Sequence, residues 1–343
     1  MPTSPVLETL PVAAAPMAGG PTTVALATAV AGEGAFPFLA GGYRTVDELA
    51  AEIAALRHTG APFGVNLFVP ERGPGPDERA LRAYAARLRP EAAHHGLDIP
   101  PVTAATDRED GWEDKLALLR ERPVPVASFT FGLPRARDVA ALRRVGTRVL
   151  LTVTSPDEAR AAQELGVDGL VVQGNAAGGH SATFDPERVP QPLPTEQLVR
   201  AVRHATALPT VAAGGVHGPG SIKRLLQAGA ETVAVGTLLL RTDESGASAT
   251  HRAALVDPRF TGTTVTRAFT GRPARALRNA FVDRHDAHAP VGYPEVHHLT
   301  RAIRRAAARA GDAERLHLWA GTGYRSAPDG PAADVVRRLV APL

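Results

Sequence analysis

The 343-residue chain contains no cysteine, which excludes disulfides, thiolate metal sites and cysteine nucleophiles. Lysine is almost missing too: Lys115 and Lys223 are the only two, and every other basic residue is Arg. The 38 basic residues nearly balance the 35 acidic ones, leaving a formal charge of +3. A nucleic-acid binder shows a clustered basic face with aromatics interleaved. The densest basic run, RAIRRAAARA at Arg301 to Ala310, holds no aromatic and reads as a solvated helix face. No nucleic-acid partner is expected. No apolar run is long enough to span a bilayer, so no membrane partner is expected either. The opening MPTSPVLETLPVAAAPM has no basic region ahead of its apolar part, so no secretory signal is read there and the expected setting is the cytoplasm.

What the chain does have is alternation. Short β-like apolar segments and helical stretches follow one another to about residue 245, the pattern of βα units around a parallel sheet. The predicted strands are Val12–Ala15, Ala35–Leu39, Phe63–Phe68, Val124–Phe129, Arg148–Val153, Gly169–Val172, Pro209–Ala213 and Glu231–Val235. Helices are expected after the caps Thr22 and Thr45, over Asp77–His94, after Pro134, and after Ser155-Pro156. A further helix near Trp112–Arg120 is expected to lie outside the regular repeat. Eight strands, each with a helix behind it, fit a (β/α)₈ TIM barrel better than a doubly wound sheet. No GxGxxG follows the first strand, and GGVHGPG at Gly214–Gly220 has the wrong spacing for one. The domain reading is therefore a barrel over residues 1–241 and a smaller, mostly helical insertion over 242–318. Residues 319–343 are expected to return to the barrel as its last helix.

In such a barrel, ligands bind at the carboxyl ends of the strands. The special residues fall there in order: Pro16–Gly20, then Asn66, Ser128, Thr152, Gln173, Gly178-Gly179-His180, Gly214-Gly215 and Gly236-Thr237. The two last pairs sit in the loops that usually hold a phosphate, where glycine N–H groups, a threonine hydroxyl and a helix N-terminus would act together. Among charged side chains only Lys223 or Arg241 offers itself to that phosphate. Asn66, Thr152 and Gln173 suit the polar edge of a heterocycle. His180, alone after a small-residue loop, is the candidate acid–base group. His58, His94 and His95 fall at helix ends, where solvent or the helix dipole satisfies them. His285, His288, His297 and His298 crowd the insertion without an HExxH pattern, so no metal is expected. No GxSxG elbow occurs.

Taken together, PVAAAPMAGG, FGVNLF, VASFTFGLP, VDGLVVQGNAAGGH, PTVAAGGV, ETVAVGT and the closing WAG resemble the nitronate monooxygenase family of FMN-dependent barrel flavoenzymes. The resemblance covers nearly the whole barrel. It implies FMN over the barrel mouth, with its phosphate held by Gly214, Gly215, Gly236 and Thr237. The ring would be approached by Ala15, Pro16, Met17, Asn66, Thr152, Gln173, Gly178 and Gly179, and His180 would match the catalytic histidine. The implied reaction is oxidation of an alkyl nitronate or nitroalkane by O₂ to a carbonyl compound and nitrite. A small-molecule substrate and O₂ are the expected partners, and a homodimer is the assembly to look for. The chain departs from the family at Ala176, where Glu is frequent, and in the aromatic EGAFPFLAGGYRT.

Two other readings stay open on sequence. One is an NAD(P)H-dependent FMN reductase of enoyl or quinone substrates, which shares the AGGH and glycine motifs. The other is a barrel that binds a phosphorylated ligand without catalysis, against which an intact His180 speaks.

Overall fold

The computed structural model describes residue 7 and residues 9–71, 73, 75–102 and 108–343. The start of the segment read for a secretory signal, and parts of the Pro70–Pro76 break, lie outside the described residues. Among the described residues there are eleven strands, of which the first nine are β1 Val12–Ala14, β2 Phe36–Ala40, β3 Gly64–Phe68, β4 Val126–Thr130, β5 Arg148–Val153, β6 Gly169–Gln173, β7 Gly179–His180, β8 Thr210–Ala213 and β9 Thr232–Val235. β10 Thr263–Thr266 and β11 Ala274–Leu277 follow. All but β7, β10 and β11 close a parallel barrel in the order β1-β2-β3-β4-β5-β6-β8-β9, with β9 returning to β1. This is the TIM barrel the alternation predicts.

Strand periodicity decides what faces inward. In β5, Val149, Leu151 and Val153 pack outward against the helices, whereas Leu150 points into the barrel. In β3 the outward pair is Val65 and Leu67. The interior is plugged by Leu7, Ala13, Phe36, Phe38, Val126, Leu150, Val211 and Ala234. Phe38 fits because β3 opens with glycine; a Cβ on Gly64 would lie 2.3 Å from the Phe38 ring. The same period of two, continued to the carboxyl ends, turns Asn66, Ser128, Thr152 and Gln173 toward the barrel mouth.

Two elements differ from the sequence reading. The helix Trp112–Glu121 was expected outside the repeat, yet it packs beside the helices Val46–Arg57 and Ala136–Arg144. Trp112, Leu116, Leu118 and Leu119 join the main core, with the Trp112 ring centroid 5.4 Å from that of Phe129. It is the helix that serves β3. The helix Glu78–His94, placed in that role by sequence order, instead turns away. Its Leu81, Tyr84 and Leu88 share a separate core with Phe269, Phe281, Val296, Leu299 and Ile303. Period alone cannot tell which of two consecutive helices covers a strand, because both have an apolar face. The second difference is that the stretch read as helical carries a hairpin, β10 and β11, besides the helices Ala249–Ala254, Ala280–His285 and Glu295–Ala310. Residues Thr263–Thr266 are β-branched throughout, which suits a pleated ribbon.

The helix Ala332–Val340 packs through Ala332, Val335, Val336 and Leu339 into the main core beside the helices Val24–Gly32 and Pro219–Gln227.

Trp112→Ala is expected to lower unfolding free energy by about 3–5 kcal/mol, the usual cost of emptying a buried aromatic site. Urea denaturation measures it. A loss near zero would return that helix to the periphery.

Candidate active site

One cavity of about 930 Å³ opens at the carboxyl end of the barrel. Ala15, Pro16, Met17, Asn66, Thr152, Gln173, Gly178, Gly179, His180, Gly214, Gly215, Gly236 and Thr237, every site residue expected from sequence, all line it. Their individual roles differ from one another, and several differ from a simple ligand contact.

Asn66 is buried and gives its amide hydrogens to Ser128 Oγ at 2.9 Å and Thr130 Oγ1 at 3.0 Å. Thr130 Oγ1 in turn lies 3.4 Å from Thr152 Oγ1. A polar row thus crosses the ends of β3, β4 and β5. Gln173 is already engaged at both ends: Nε2 donates to the His180 carbonyl at 3.0 Å and Oε1 accepts from Ala182 N–H at 2.8 Å. Its amide shapes the loop that bears His180.

Gly178 is glycine for a packing reason. A Cβ there would fall 2.4 Å from Gly321 N and 2.5 Å from Ala320 C, backbone atoms that cannot yield. Gly214 and Gly215 have φ of +105° and +78°, the left-handed region that favours glycine. They end β8, and Gly236 ends the hydrogen-bonded neighbour β9, so the two turns are adjacent. No acceptor among the described residues takes the N–H of Gly214, Gly215, Gly236 or Thr237. Thr237 Oγ1 accepts from Gly321 N–H at 2.9 Å, which leaves its own proton free to donate. The sequence reading added a helix N-terminus to this pair, but only a three-residue 3₁₀ turn, Thr237–Leu239, follows. Neither candidate cation reaches the site. Arg241 is spent on the Ala327 carbonyl and Asp329, and Lys223 is exposed on the outer helix Pro219–Gln227.

His180 lies in β7, which pairs antiparallel with β11, Ala274 opposite His180 and Arg275 opposite Gly179. Phe131, Tyr293 and Trp319 surround the imidazole at ring-centroid distances of 5.5, 5.8 and 5.6 Å. The half-buried ring therefore faces the cavity. Burial, helped by the Arg272 and Arg304 cations, pulls its pKa down to about 3, so it is neutral at physiological pH.

Sequence reasoning missed the opposite wall. Tyr43, at φ +64°, stacks on His297 with centroids 4.5 Å apart and accepts a 3.1 Å hydrogen bond from Tyr293 Oη. Burial raises the Tyr43 phenol to about 12. Arg272 is buried over the Phe131 ring at 4.3 Å and donates to the Thr183 carbonyl, with Glu71 3.6 Å away. Arg304 corrects the solvated-face reading of RAIRRAAARA. It is buried, bonded to Thr300 Oγ1 and the His297 carbonyl, and pulled down to about 10 by its burial. The sequence signal was present: Val296, Thr300, Ile303 and Ala307 trace the buried side of one helix, and position 304 falls on it.

Two of the crowded histidines bond different partners. His285 bonds Glu91 at 2.9 Å, whereas His297 contacts Arg304. His94 and His95 converge on Asp312 instead, but Arg315 holds the same carboxylate oxygen at 2.9 Å.

The nitronate monooxygenase family model matches residues 3–342. The chain belongs to the nitronate monooxygenase family. Nitronate monooxygenase of Pseudomonas aeruginosa is 38% identical over 342 residues, covering 97% of this chain and 96% of that protein. A probable nitronate monooxygenase of Staphylococcus aureus is 32% identical, covering 96% and 93%. Among solved structures, nitroalkane oxidase of Streptomyces ansochromogenes superposes with a TM-score of 0.91 at 45% identity, covering 97% and 95%. FabK of Thermotoga maritima superposes with a TM-score of 0.74 at 24% identity, covering 98% and 93%, a likeness of fold alone. This member of the nitronate monooxygenase family is thus a flavin-dependent oxidoreductase acting on small nitronates or nitroalkanes. No helix among the described residues is long and apolar enough to cross a membrane.

Two outcomes follow from this geometry. Gly178→Ala is expected to cost about 1–3 kcal/mol through overpacking and to lower flavin content. Thermal unfolding and the ratio of flavin to protein absorbance measure both, and a variant matching the parent in each would contradict the contact. The second outcome concerns acid. Burial holds His251 down to about 4 and places His297 and His317 well below their usual value, as for His180. In the unfolded chain a histidine takes its proton near pH 6.5. Between 6.5 and 4 the unfolded state therefore binds more protons, and stability falls as pH falls. His251→Gln should flatten the slope of unfolding free energy in that window by up to one proton, about 1.4 kcal/mol per pH unit. An unchanged slope would mean that His251 is protonated in the native protein.

Proposed function

We propose that this enzyme binds FMN in the barrel mouth and oxidises alkyl nitronates, and nitroalkanes through their nitronates, with O₂ to a carbonyl compound and nitrite. The observation that carries this reading is the pair of adjacent turns, Gly214-Gly215 and Gly236-Thr237, whose unspent N–H groups share one cavity with His180. Those amides and the Thr237 hydroxyl suit a phosphate monoester, with no cationic side chain needed for the grip. Ala15, Pro16, Met17 and Gly179 offer small or apolar walls for a flat ring, and the Asn66–Thr130–Thr152 row offers a polar edge.

FMN, when bound, supplies the electron acceptor that passes reducing equivalents to O₂. The chain's own contribution is to prepare the anionic substrate. His180 takes the proton from the carbon bearing the nitro group, a step that a nitronate arriving already ionised does not need. A neutral imidazole is free to accept that proton. Its depressed pKa makes it a weak base in the empty pocket, but the nitronate formed beside it is the missing counter-charge and stabilises the imidazolium. Arg272 and Arg304 favour the same anion over its neutral precursor. Phe131, Tyr293 and Trp319 shield part of the ring from water.

His180→Asn is expected to retain FMN while turnover of neutral nitroalkane falls by about 10²–10⁴-fold, the usual range for a lost general base. Activity on pre-ionised nitronate should fall far less. Unchanged turnover of the neutral substrate removes His180 from the base role. Anaerobic mixing with NADH or NADPH should leave the flavin yellow, and rapid bleaching would instead favour the reductase. A purified protein whose extracted flavin is not FMN would overturn the cofactor.

A further inference from the structure

The surroundings of His180 contain one hydroxyl that the reaction as stated does not use. Thr270 Oγ1 lies 2.9 Å from His180 Nε2 and 3.4 Å from the Arg272 carbonyl oxygen. A threonine hydroxyl has one proton to give, and a carbonyl oxygen can only accept. Both contacts are hydrogen bonds in a single arrangement: Nε2–H donates to Thr270, and Thr270 donates to Arg272. The reverse arrangement, with Thr270 donating to a bare Nε2, would strip the Arg272 carbonyl of its donor. Thr270 and Arg272 are each 1% exposed, so water is poorly placed to replace it. Leaving a buried acceptor unmet costs more than the net worth of an ordinary hydrogen bond.

The other ring nitrogen completes the case. No group among the described residues bonds His180 Nδ1, and the residue lines the cavity. Rotation of the ring to exchange the two nitrogens is opposed by Phe131, Tyr293 and Trp319 on its faces and edges. The backbone is fixed as well, since Ser181 N–H donates to the Pro273 carbonyl at 2.8 Å and β7 pairs with β11 just beyond.

We propose that Thr270 is a positioning residue that holds His180 in the Nε2–H tautomer, so that Nδ1 is the nitrogen exchanging a proton with the substrate. This rests on the acid–base reading of His180 given above. Upon deprotonation of a nitroalkane the C–H bond breaks, its electron pair stays on the substrate as the nitronate, and the proton forms the Nδ1–H bond. The imidazolium then keeps its existing Nε2–H bond to Thr270, so no second proton moves.

The test is long-range ¹H–¹⁵N correlation on flavin-loaded protein labelled in histidine, with the His180 signals assigned by their disappearance in His180→Asn. The expected spectrum shows a protonated Nε2 and a bare Nδ1, unchanged in Thr270→Ser and shifted toward the other tautomer in Thr270→Val. Thr270→Val should also lose at least about tenfold in kcat/KM for neutral nitroalkane, as when a histidine base is held in the wrong tautomer. It should keep most of its rate on pre-ionised nitronate, and Thr270→Ser should restore the former activity. A wild-type spectrum with protonated Nδ1 overturns the proposal, even if Thr270→Val does not fold. So does a Thr270→Val protein with wild-type spectrum and rates. If the tautomer is as stated but His180→Asn turns over neutral nitroalkane normally, the tautomer stands and the acid–base reading falls.

Discussion

The pairing of two residues, Gly179 and His180, with Ala274 and Arg275 is the contact on which the site depends. A barrel strand ends at Gln173, and the chain beyond it would otherwise be a free loop. By entering a second sheet, that loop acquires a partner on the far side of the cavity. Gln173 fastens the near side through the His180 carbonyl and the Ala182 N–H. The imidazole is thus held between a barrel and a hairpin, each immobilising one end of a short span. Groups set on fixed scaffolds need little reorganisation at the moment of reaction, the condition under which electrostatic stabilisation is strongest.

Charge is arranged around that span with the same economy. The floor of the cavity is uncharged, made of strand-end amides, hydroxyls and glycine turns. The cover supplies cations: Arg272, on the turn before β11, and Arg304, on the helix Glu295–Ala310. Both are buried, and both disfavour a charged His180. Buried cations that disfavour an imidazolium favour an anion placed in the same position. The neutral histidine follows from burial and then from the arginines, not from the histidine's own sequence context.

The barrel and its mouth were legible because their signal is local. Period two in each strand, glycine pairs after β8 and β9, and a lone histidine after β6 are all readable within a dozen residues. What escaped was non-local. Nothing near Tyr43 announces that it will stack on His297, more than two hundred residues away. Trp112–Glu121 and Glu78–His94 are both amphipathic, and only tertiary packing decides which one covers β3. Arg304 hid among arginines whose side chains do reach solvent, because composition was read without asking which helical face each occupied. Gly178 was read only as a neighbour of the ring, and the close backbone of Ala320 and Gly321 adds a packing reason for glycine there.

The route of the helix Glu78–His94 has one more consequence. The cover over the cavity is stitched from two distant parts of the chain, since Leu81, Tyr84 and Leu88 complete the core that Phe281, Val296 and Ile303 begin. Glu91 bolts the same seam, receiving Arg284, His285 and Arg315 on one carboxylate. Such a cover is not a cassette. Exchanging residues 242–318 with those of a relative would therefore graft half a module onto a foreign remainder.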